Sequence, residues 1–405
     1  MTDTQGKTKQ LGLAVIGGGL TGKMMALTLA QCGEPVVLFA PSVPAGRADR
    51  RSTTIHEAGR KMLDALGVLA CLPETMTPIT GISVAIGAEM PRRDDWLLSW
   101  SSDDTPMAYV VENAHLDKAL DQKLAEHSDH ITIISSAIIN QSDTASGCML
   151  QDEDDNHYLV SHVVACDGAV SQTREKAGVK PVNLPTGQLA IIANLRCEIA
   201  HDNRAYQRFL ESGPLAVMPL SGNALSLVWS VHSDKANQLL ALDEAEFSEA
   251  VTAAFGTTLG KLKLDGTCRH FPLKPHYIRH LTTGHITLAG DAAHAIHPLA
   301  GMGYNLALAD AAILLDELKI AKKRGLTIDH LSIKKGYQRR RAAEILAMTT
   351  ATSGLNALLS RPKGPLGDIM ATAMAVLDKT ALKKKFRDLA MGGKLSDAPL
   401  LRGQI

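Results

Sequence analysis

The chain has 405 residues, of which 45% are apolar and 21% charged, an ordinary composition for a globular protein with more than one domain. Lysine plus arginine equals aspartate plus glutamate at 42 each, so bulk electrostatics give no reason to expect a nucleic-acid partner. The six widely spaced cysteines predict reduced thiols and no metal site, and the lack of a signal peptide or of an apolar run of about 20 residues predicts a cytoplasmic protein.

The first predicted elements form a strand–loop–helix–strand unit. The apolar run Leu11–Ile16 is typical of a buried parallel strand, a glycine-rich loop covers residues 17–22, and a helical stretch ends at Gly33. A second buried strand follows at Val36–Ala40. Units of this length and order are typical of dinucleotide binding.

The loop itself reads G-G-G-L-T-G and satisfies the pattern G-x-G-x-x-G. Gly17 permits the tight turn, Gly19 lets the backbone approach a pyrophosphate, and Gly22 lets helix and strand pack closely. Leu20 and Thr21 begin the helix, whose N-terminus faces the phosphates with free N–H groups. The sequence therefore predicts a nucleotide site in this loop.

The later elements leave this domain and return to it. Helices are predicted around His56–Leu66 and His115–His127, and strands at His130–Ile134 and Tyr158–Ala165. Between about residues 181 and 269 the pattern alternates, which predicts antiparallel strands of a second domain. The expected fold class is α/β: a Rossmann-like domain (1–74, 107–180 and 270–331) interleaved with an antiparallel-sheet substrate domain (75–106 and 181–269), then a helical C-terminal region (332–405).

Two more loops follow predicted strands. Asp167-Gly168 ends the strand in VVACDGAVSQTREKAG, and Gly290-Asp291 ends the strand in HITLAGDAAHAIHPLAGMGYNLALADAAILL. Each dipeptide alone is typical of a turn. The stretch ADRRSTTIHEAG alone is typical of a helix start at Ser52 or Thr53. Their order behind a dinucleotide loop indicates instead that these stretches have a role beyond local structure.

Together these residues resemble the class A flavoprotein aromatic hydroxylases, and within them the hydroxylases of ubiquinone biosynthesis. The resemblance covers nearly the whole chain, and it implies a fold like that of para-hydroxybenzoate hydroxylase. The ordered matches are the loop at Gly17, D-x-R at Asp49–Arg51 followed by Ser-Thr-Thr, Val111-Glu112-Asn113, Asp167-Gly168 with Ser171 and Arg174, Gly213–Leu220 leading to Val228-Trp229, Phe271-Pro272-Leu273, and Gly290–His294 through Asn305 and Asp310.

The resemblance implies FAD as the cofactor and suggests its contacts. Asp291 would lie near the ribityl and pyrophosphate groups, and Asp167-Gly168 would serve both the flavin and NAD(P)H. The second loop would lie against the isoalloxazine ring, where only residues with little side chain allow a close approach. Beyond the first loop, the implied cofactor contacts are Arg51, Asn113, Asp167, Gly168, Gly290, Asp291, Pro298, Gly301, Met302 and Gly303.

The resemblance also implies a reaction. NAD(P)H reduces the flavin, O₂ adds to give a C4a-hydroperoxide, and the distal oxygen enters the aromatic ring of a polyprenylated phenol in ubiquinone biosynthesis. His297 is the candidate catalytic residue because histidine can titrate near neutral pH, with packing or hydrogen bonding as the alternative. Met218 and Trp229 are the candidate substrate contacts, with core packing as the alternative.

Three positions depart from the family pattern. Ala40 stands where the second strand usually ends in an acidic residue that binds the ribose. Met302 and Tyr304 replace the glutamine and leucine of the usual A-G-Q-G-L-N-L-G. Ala40 and Met302 favour one alternative function, a non-catalytic scaffold of a ubiquinone-biosynthesis complex. A hydroxylase for a small aromatic without a prenyl tail is the other.

The C-terminal region is basic, with 14 lysines and arginines against 5 acidic residues from Lys334 to the end. Within it, Pro365–Gly393 places apolar residues at helical spacing ahead of a lysine run. Such a stripe is most often packed core beside a solvated face. A basic amphipathic helix can also bind the inner face of an anionic membrane or a partner protein, so peripheral membrane contact is a further prediction.

Overall fold

The fold comes from a computed structural model that describes residues 8–41, 51–74, 76–86, 96–102, 105–359 and 397–405. The strands are β1 (Lys9–Ile16), β2 (Val36–Phe39), β3 (Ser52–Ile55), β4 (Thr77–Ile79), β5 (Gly81–Ile86), β6 (Leu98–Ser101), β7 (Ala108–Glu112), β8 (Ile131–Ile134), β9 (Ile138–Thr144), β10 (Gly147–Asp152), β11 (His157–Ala165), β12 (Val182–Asn183), β13 (Gln188–Cys197), β14 (Arg204–Leu210), β15 (Gly213–Pro219), β16 (Ala224–His232), β17 (Leu262–Pro272), β18 (His276–Tyr277), β19 (Thr282–Thr283), β20 (Ile286–Leu288) and β21 (His294–Ala295). The α-helices are α1 (Leu20–Ala30), α2 (Glu57–Ala65), α3 (Asn113–Glu126), α4 (Gln172–Lys176), α5 (Ser233–Leu240), α6 (Glu244–Phe255), α7 (Gly303–Lys323) and α8 (Leu331–Leu359).

The first sheet contains the predicted parallel strands. Its order is β19-β20-β11-β1-β2-β8, and β1, β2, β8, β11 and β20 run parallel. These strands are apolar runs because helices cover the sheet, and α1 packs on β1, on α3 and on α7. The hairpin β9–β10, which the sequence patterns did not predict, is added to β11. The α/β class is confirmed.

The second sheet is mostly antiparallel, in the order β17-β13-β16-β15-β14-β5-β6, with β5 and β14 the parallel pair. It takes β5 and β6 from one stretch of the chain and the other five strands from residues 188–272. One face packs on α5 and α6, so alternate residues of β16 such as Leu225 and Leu227 share a core with Phe247 of α6. The opposite face turns toward β3, where Ser226 contacts Ser52.

A small sheet, β3-β7-β4, lies between the two larger ones. It corrects the prediction that Ser52 or Thr53 opens a helix. Ser52–Ile55 is a strand instead, since its run of β-branched residues favours an extended backbone, and the helix begins at Glu57.

The C-terminal part packs on the first domain. Helix α8 lies along α7, and a short turn, Pro399–Arg402, packs on α2 and α7 with Leu400 and Leu401 buried. The predicted amphipathic stretch, Pro365–Gly393, lies outside the described residues, so its membrane contact stays a prediction. None of the helices in the described ranges is both long and apolar enough to cross a bilayer.

Candidate active site

The first glycine-rich loop lies at the carboxyl end of β1. Gly17 has φ +125°, and a Cβ there would come within 2.4 Å of the Cys166 carbonyl oxygen. A Cβ on Gly22 would lie 1.8 Å from the Gly17 oxygen, so both positions need glycine to pack. Gly19 differs, because a Cβ there meets no atom within 4 Å. Its missing side chain faces open space.

That open space lies before the N-terminus of α1. Gly19 is the N-cap residue, it supplies no side-chain cap, and the first turn has no acidic residue. The first backbone N–H groups of the helix are therefore available to bind an anion. The helix dipole also favours a negative charge at this end. Leu20 and Thr21 begin the helix as predicted, and the Thr21 methyl packs against Gly290 of the second loop.

The second loop follows β20 and presents Asp291. The Asp291 side chain is exposed, yet protein atoms surround it closely enough that desolvation raises its pKa. The charges of His294, His276 and Arg51 act in the opposite direction without cancelling that effect. A carboxylate open to solvent can accept hydrogen bonds from the hydroxyls of a ligand, and the open space beside the two glycine-rich loops is called the cleft below.

A buried ionic network anchors this loop. The sequence patterns did not reveal the network as a unit. Asp310 accepts hydrogen bonds from the Gly290 backbone N–H at 2.8 Å, from His294 Nε2 at 2.7 Å and from Arg341 Nε at 2.7 Å. Burial alone would raise the pKa of Asp310, but His294 and Arg341 hold it near 2. Arg341 lies on α8 and also bonds Glu344 of the same helix, so its bond to Asp310 ties α8 to the loop.

The proline–glycine segment continues from His297 to α7. Gly301 has φ +59°, and a Cβ there would lie 2.6 Å from the Thr54 Cβ. Asn305 fixes the segment to β3, with Nδ2 donating to the Thr54 and Gly301 carbonyls and Oδ1 accepting from the His56 N–H. A Cβ on Gly303 meets no atom within 4 Å, so a second uncapped helix N-terminus faces open space after the half-buried Pro298.

Met302 lies between these glycines but turns inward. Its side chain is 1% exposed, so this departure from the family pattern does not fill the cleft. Tyr304, the other departure, packs partly buried against the main core, and its hydroxyl has no hydrogen-bond partner among the described residues.

Replacing Met302 with glutamine is expected to destabilise the protein by about 1–3 kcal/mol without tightening FAD binding, because the amide would be buried without partners. Met302→Leu conserves volume and should cost less than about 1.5 kcal/mol. Urea unfolding and flavin titration of both variants check this. Unchanged stability with tighter FAD binding in Met302→Gln would place the side chain in the cleft.

The Asp167 loop lies beside the second loop. Both carboxylate oxygens of Asp167 accept hydrogen bonds from nearby residues. One bonds the Ser171 hydroxyl at 2.5 Å, and the other bonds the Thr173 N–H in α4 at 3.0 Å. Arg174 donates to the Ala292 carbonyl at 2.8 Å and so ties this loop to the Asp291 turn. Gly168 has φ +86°, and a Cβ there would meet no atom within 4 Å, so the backbone of this loop is open at Gly168.

Arg51 and Asn113 are neighbours across β3 and β7. The Asn113 N–H donates to the Arg51 carbonyl at 2.8 Å, and Thr53 donates to Asn113 Oδ1 at 2.6 Å. Arg51 is exposed and near enough to Asp291 to affect its pKa. The structure thus brings both residues to the side of the cleft formed by the small sheet.

The two candidate substrate contacts lie on opposite faces of the second sheet. Met218 pairs with Ser226 on the face toward the first domain, and its sulfur accepts a hydrogen bond from Thr54. Trp229 pairs with Leu215 and lies in the core beneath α5 and α6, 2% exposed. A strand turns successive side chains to opposite faces, so the prediction for Trp229 is corrected to core packing.

His297 is fully buried. Its Nε2 lies 3.1 Å from Gln188 Oε1, and its Nδ1 has no partner among the described residues. Burial lowers the pKa of His297 to about 4, so the ring is neutral at physiological pH. A direct role in proton transfer therefore has little support, and hydrogen bonding is the better interpretation.

Stability should fall as the pH is lowered from about 6.5 to about 4. Burial lowers the pKa of His56, His162 and His297 to about 4 each, whereas an unfolded histidine titrates near 6.5. Between these values the unfolded chain binds more protons, so acid favours unfolding. Urea unfolding midpoints measured across this pH range check the prediction. The midpoint should depend less steeply on pH in His297→Asn, and the surface variant His157→Asn serves as the control. A wild-type profile without slope would refute the assignment.

Two glycine-rich loops that lead into helices without a side-chain cap, together with the exposed Asp291, are typical of a dinucleotide-binding protein. The family described as FAD binding domain matches residues 10–347. Ubiquinone hydroxylase UbiL of Rhodospirillum rubrum is 31% identical over 399 residues, covering 96% of this chain and 92% of the relative. The 3-demethoxyubiquinol 3-hydroxylase of Escherichia coli is 30% identical over 393 residues, covering 92% and 97%.

A solved structure of similar fold is p-nitrophenol 4-monooxygenase PnpA from Pseudomonas putida, with TM-score 0.77, 18% identity, and coverage of 96% of this chain and 100% of that chain. The chain belongs to the FAD binding domain family, among its FAD-dependent aromatic hydroxylases. The predicted family, fold and enzyme class are thereby confirmed.

Proposed function

We propose that this protein uses FAD, NAD(P)H and O₂ to hydroxylate the aromatic ring of a polyprenylated phenol in ubiquinone biosynthesis. The observation that carries the proposal is that Gly19, Gly303 and Asp291 are all open to solvent on two glycine-rich loops that meet where Thr21 contacts Gly290. The similarity to two ubiquinone-pathway hydroxylases over more than nine-tenths of the chain supports the substrate class.

The residues present fit FAD. The N-terminus of α1 beyond Gly17 and Gly19 would hold the pyrophosphate, and Asp291, with Arg51 beside it, would accept hydrogen bonds from the ribityl chain. Gly301 and Gly303 would let the isoalloxazine ring approach the N-terminus of α7, whose dipole favours negative charge. The scaffold alternative loses support because Met302 is buried away from this cleft.

Bound FAD would supply the transfer of electrons from NAD(P)H to O₂, so that one oxygen atom of O₂ enters the ring and the other leaves as water. The chain supplies position and exclusion of water. The face of the second sheet that carries Met218 and Ser226 packs on Thr54 and Ser52 of β3, next to the glycine segment, and a site closed to water prevents the loss of oxidant to solvent. The substrate and the cofactor are then already held in the geometry that the reaction requires.

The test is an assay of the purified holoprotein with NADH and NADPH in turn, O₂, and a pair of phenols that differ only in a 2-polyprenyl tail. We expect NAD(P)H consumption and a product heavier by one oxygen atom, with the tailed phenol preferred. Equal use of both phenols would favour the small-aromatic alternative. A protein that stays colourless in excess FAD would overturn the proposal in favour of the scaffold.

A further inference from the structure

Three buried side chains from distant parts of the chain meet beside the second loop. Gln188 begins β13, His297 precedes the proline–glycine segment, and Asn356 lies near the end of α8; they are 3%, 0% and 5% exposed. Gln188 Oε1 lies 3.1 Å from His297 Nε2 and 2.9 Å from Asn356 Nδ2. One amide oxygen thus accepts two hydrogen bonds.

This arrangement selects one tautomer of the imidazole. An amide oxygen only accepts, so the Nε2 of His297 must carry the proton, and Nδ1 carries the lone pair. Asn356 strengthens the selection because its own N–H holds the Gln188 amide with its oxygen toward the ring. The result is a neutral ring with a defined acceptor at Nδ1, which has no partner among the described residues.

The His297 ring adjoins the segment that the proposed function places against the flavin. His297 leads directly into the turn Pro298–Ala300, which is followed by Gly301 and by Gly303 at the open N-terminus of α7. Gln188 lies outside the core that α5 and α6 cover, on the strand next to the one that carries Ser226. The imidazole therefore lies between the cofactor segment and the inner face of the second sheet.

We propose that Gln188 and Asn356 are positioning residues that hold His297 as the Nε2–H tautomer, so that Nδ1 accepts a hydrogen bond from the hydroxyl group of the phenolic substrate. The inference rests on the proposed function for the identity of the ligand. It assigns orientation to His297 and not general-base catalysis. A ring with a pKa near 4 cannot retain the proton of a phenol, whose pKa is about 10.

The tautomer can be read directly from ¹⁵N NMR of the holoprotein labelled in histidine, with the His297 signals identified by their loss in His297→Phe. In wild type we expect an unprotonated Nδ1 and a protonated Nε2 at neutral pH. In Asn356→Asp, the new carboxylate should turn the Gln188 NH₂ group toward both neighbours and move the imidazole proton to Nδ1. Gln188→Leu should give a mixture, and the buried control Thr352→Val, one turn away on α8, should match wild type.

Binding of the ligand hydroxyl is tested without turnover, by flavin absorbance titrations of the oxidised holoprotein with 2-prenylphenol and its O-methyl ether. Wild type and Thr352→Val should prefer the phenol by about five-fold, the value of one hydrogen bond, and the preference should vanish in Asn356→Asp and His297→Phe. A proton on Nδ1 in wild type, or equal binding of the two probes, would overturn the inference. Failure of the proposed function would appear separately, as absence of NAD(P)H-dependent hydroxylation.

Discussion

A Gly19→Val variant is expected to lose at least about 100-fold in FAD affinity while its apoprotein stays folded. The loss corresponds to about two charge-assisted hydrogen bonds from the backbone to the pyrophosphate, at about 1.5 kcal/mol each, which valine would block. The fold should tolerate the change because Gly19 has φ −79° and ψ 178°, an extended conformation that valine prefers, and because a Cβ meets no atom within 4 Å.

Two other glycines supply the controls. Gly22→Ala should destabilise the apoprotein strongly, since its Cβ would lie 1.8 Å from the Gly17 oxygen, whereas Gly354→Ala, in an open helical position, should be neutral or slightly stabilising. Valine at the N-cap should cost about 1 kcal/mol at most. Flavin titration and urea unfolding of the apoproteins separate the effects. Retained FAD affinity in Gly19→Val would mean that the pyrophosphate does not approach this turn.

The dinucleotide-binding unit could be predicted because its signals are local. The apolar run before Gly17, the helix after Gly19 and the strand at Val36 lie within about 30 residues, and each is dictated by its own residues. The small sheet of β3, β4 and β7 could not, because the β-branched residues of Ser52–Ile55 favour an extended backbone but do not show that it pairs with Ala108–Glu112. The pairing depends on the whole fold.

The candidate site likewise combines features that local sequence predicts with features that depend on the whole fold. The open glycines Gly19 and Gly303 were within reach of motif reasoning. The network of Asp310 and Arg341 was not, because these residues lie 31 positions apart and meet only where α8 packs on α7. Trp229 could not be assigned from the sequence, because only the register of β15 against β16 places Val228, and not Trp229, on the face of Met218.

Asp310→Leu is expected to lower the free energy of unfolding by at least about 3 kcal/mol, because it leaves the Arg341 guanidinium, the His294 ring and the Gly290 N–H buried without their shared acceptor. The loss should be largest above about pH 4. The pKa of Asp310 is held near 2 in the folded protein, below the ordinary 3.8, so its stabilising effect is complete above the unfolded value and disappears as the pH falls through about 2.

A double variant tests whether Asp310 acts through its partner. Asp310→Leu/Arg341→Met removes both charges and fills the space with apolar atoms, so it should be more stable than Asp310→Leu alone even though it carries one more substitution. Urea unfolding of the two single variants and the double variant measures the coupling. FAD affinity should fall in Asp310→Leu and recover only in part in the double variant. The Gly290 N–H stays unpaired in both variants, so the Asp291 turn stays loosely held. Strictly additive losses would show that the ion pair does not anchor the loop.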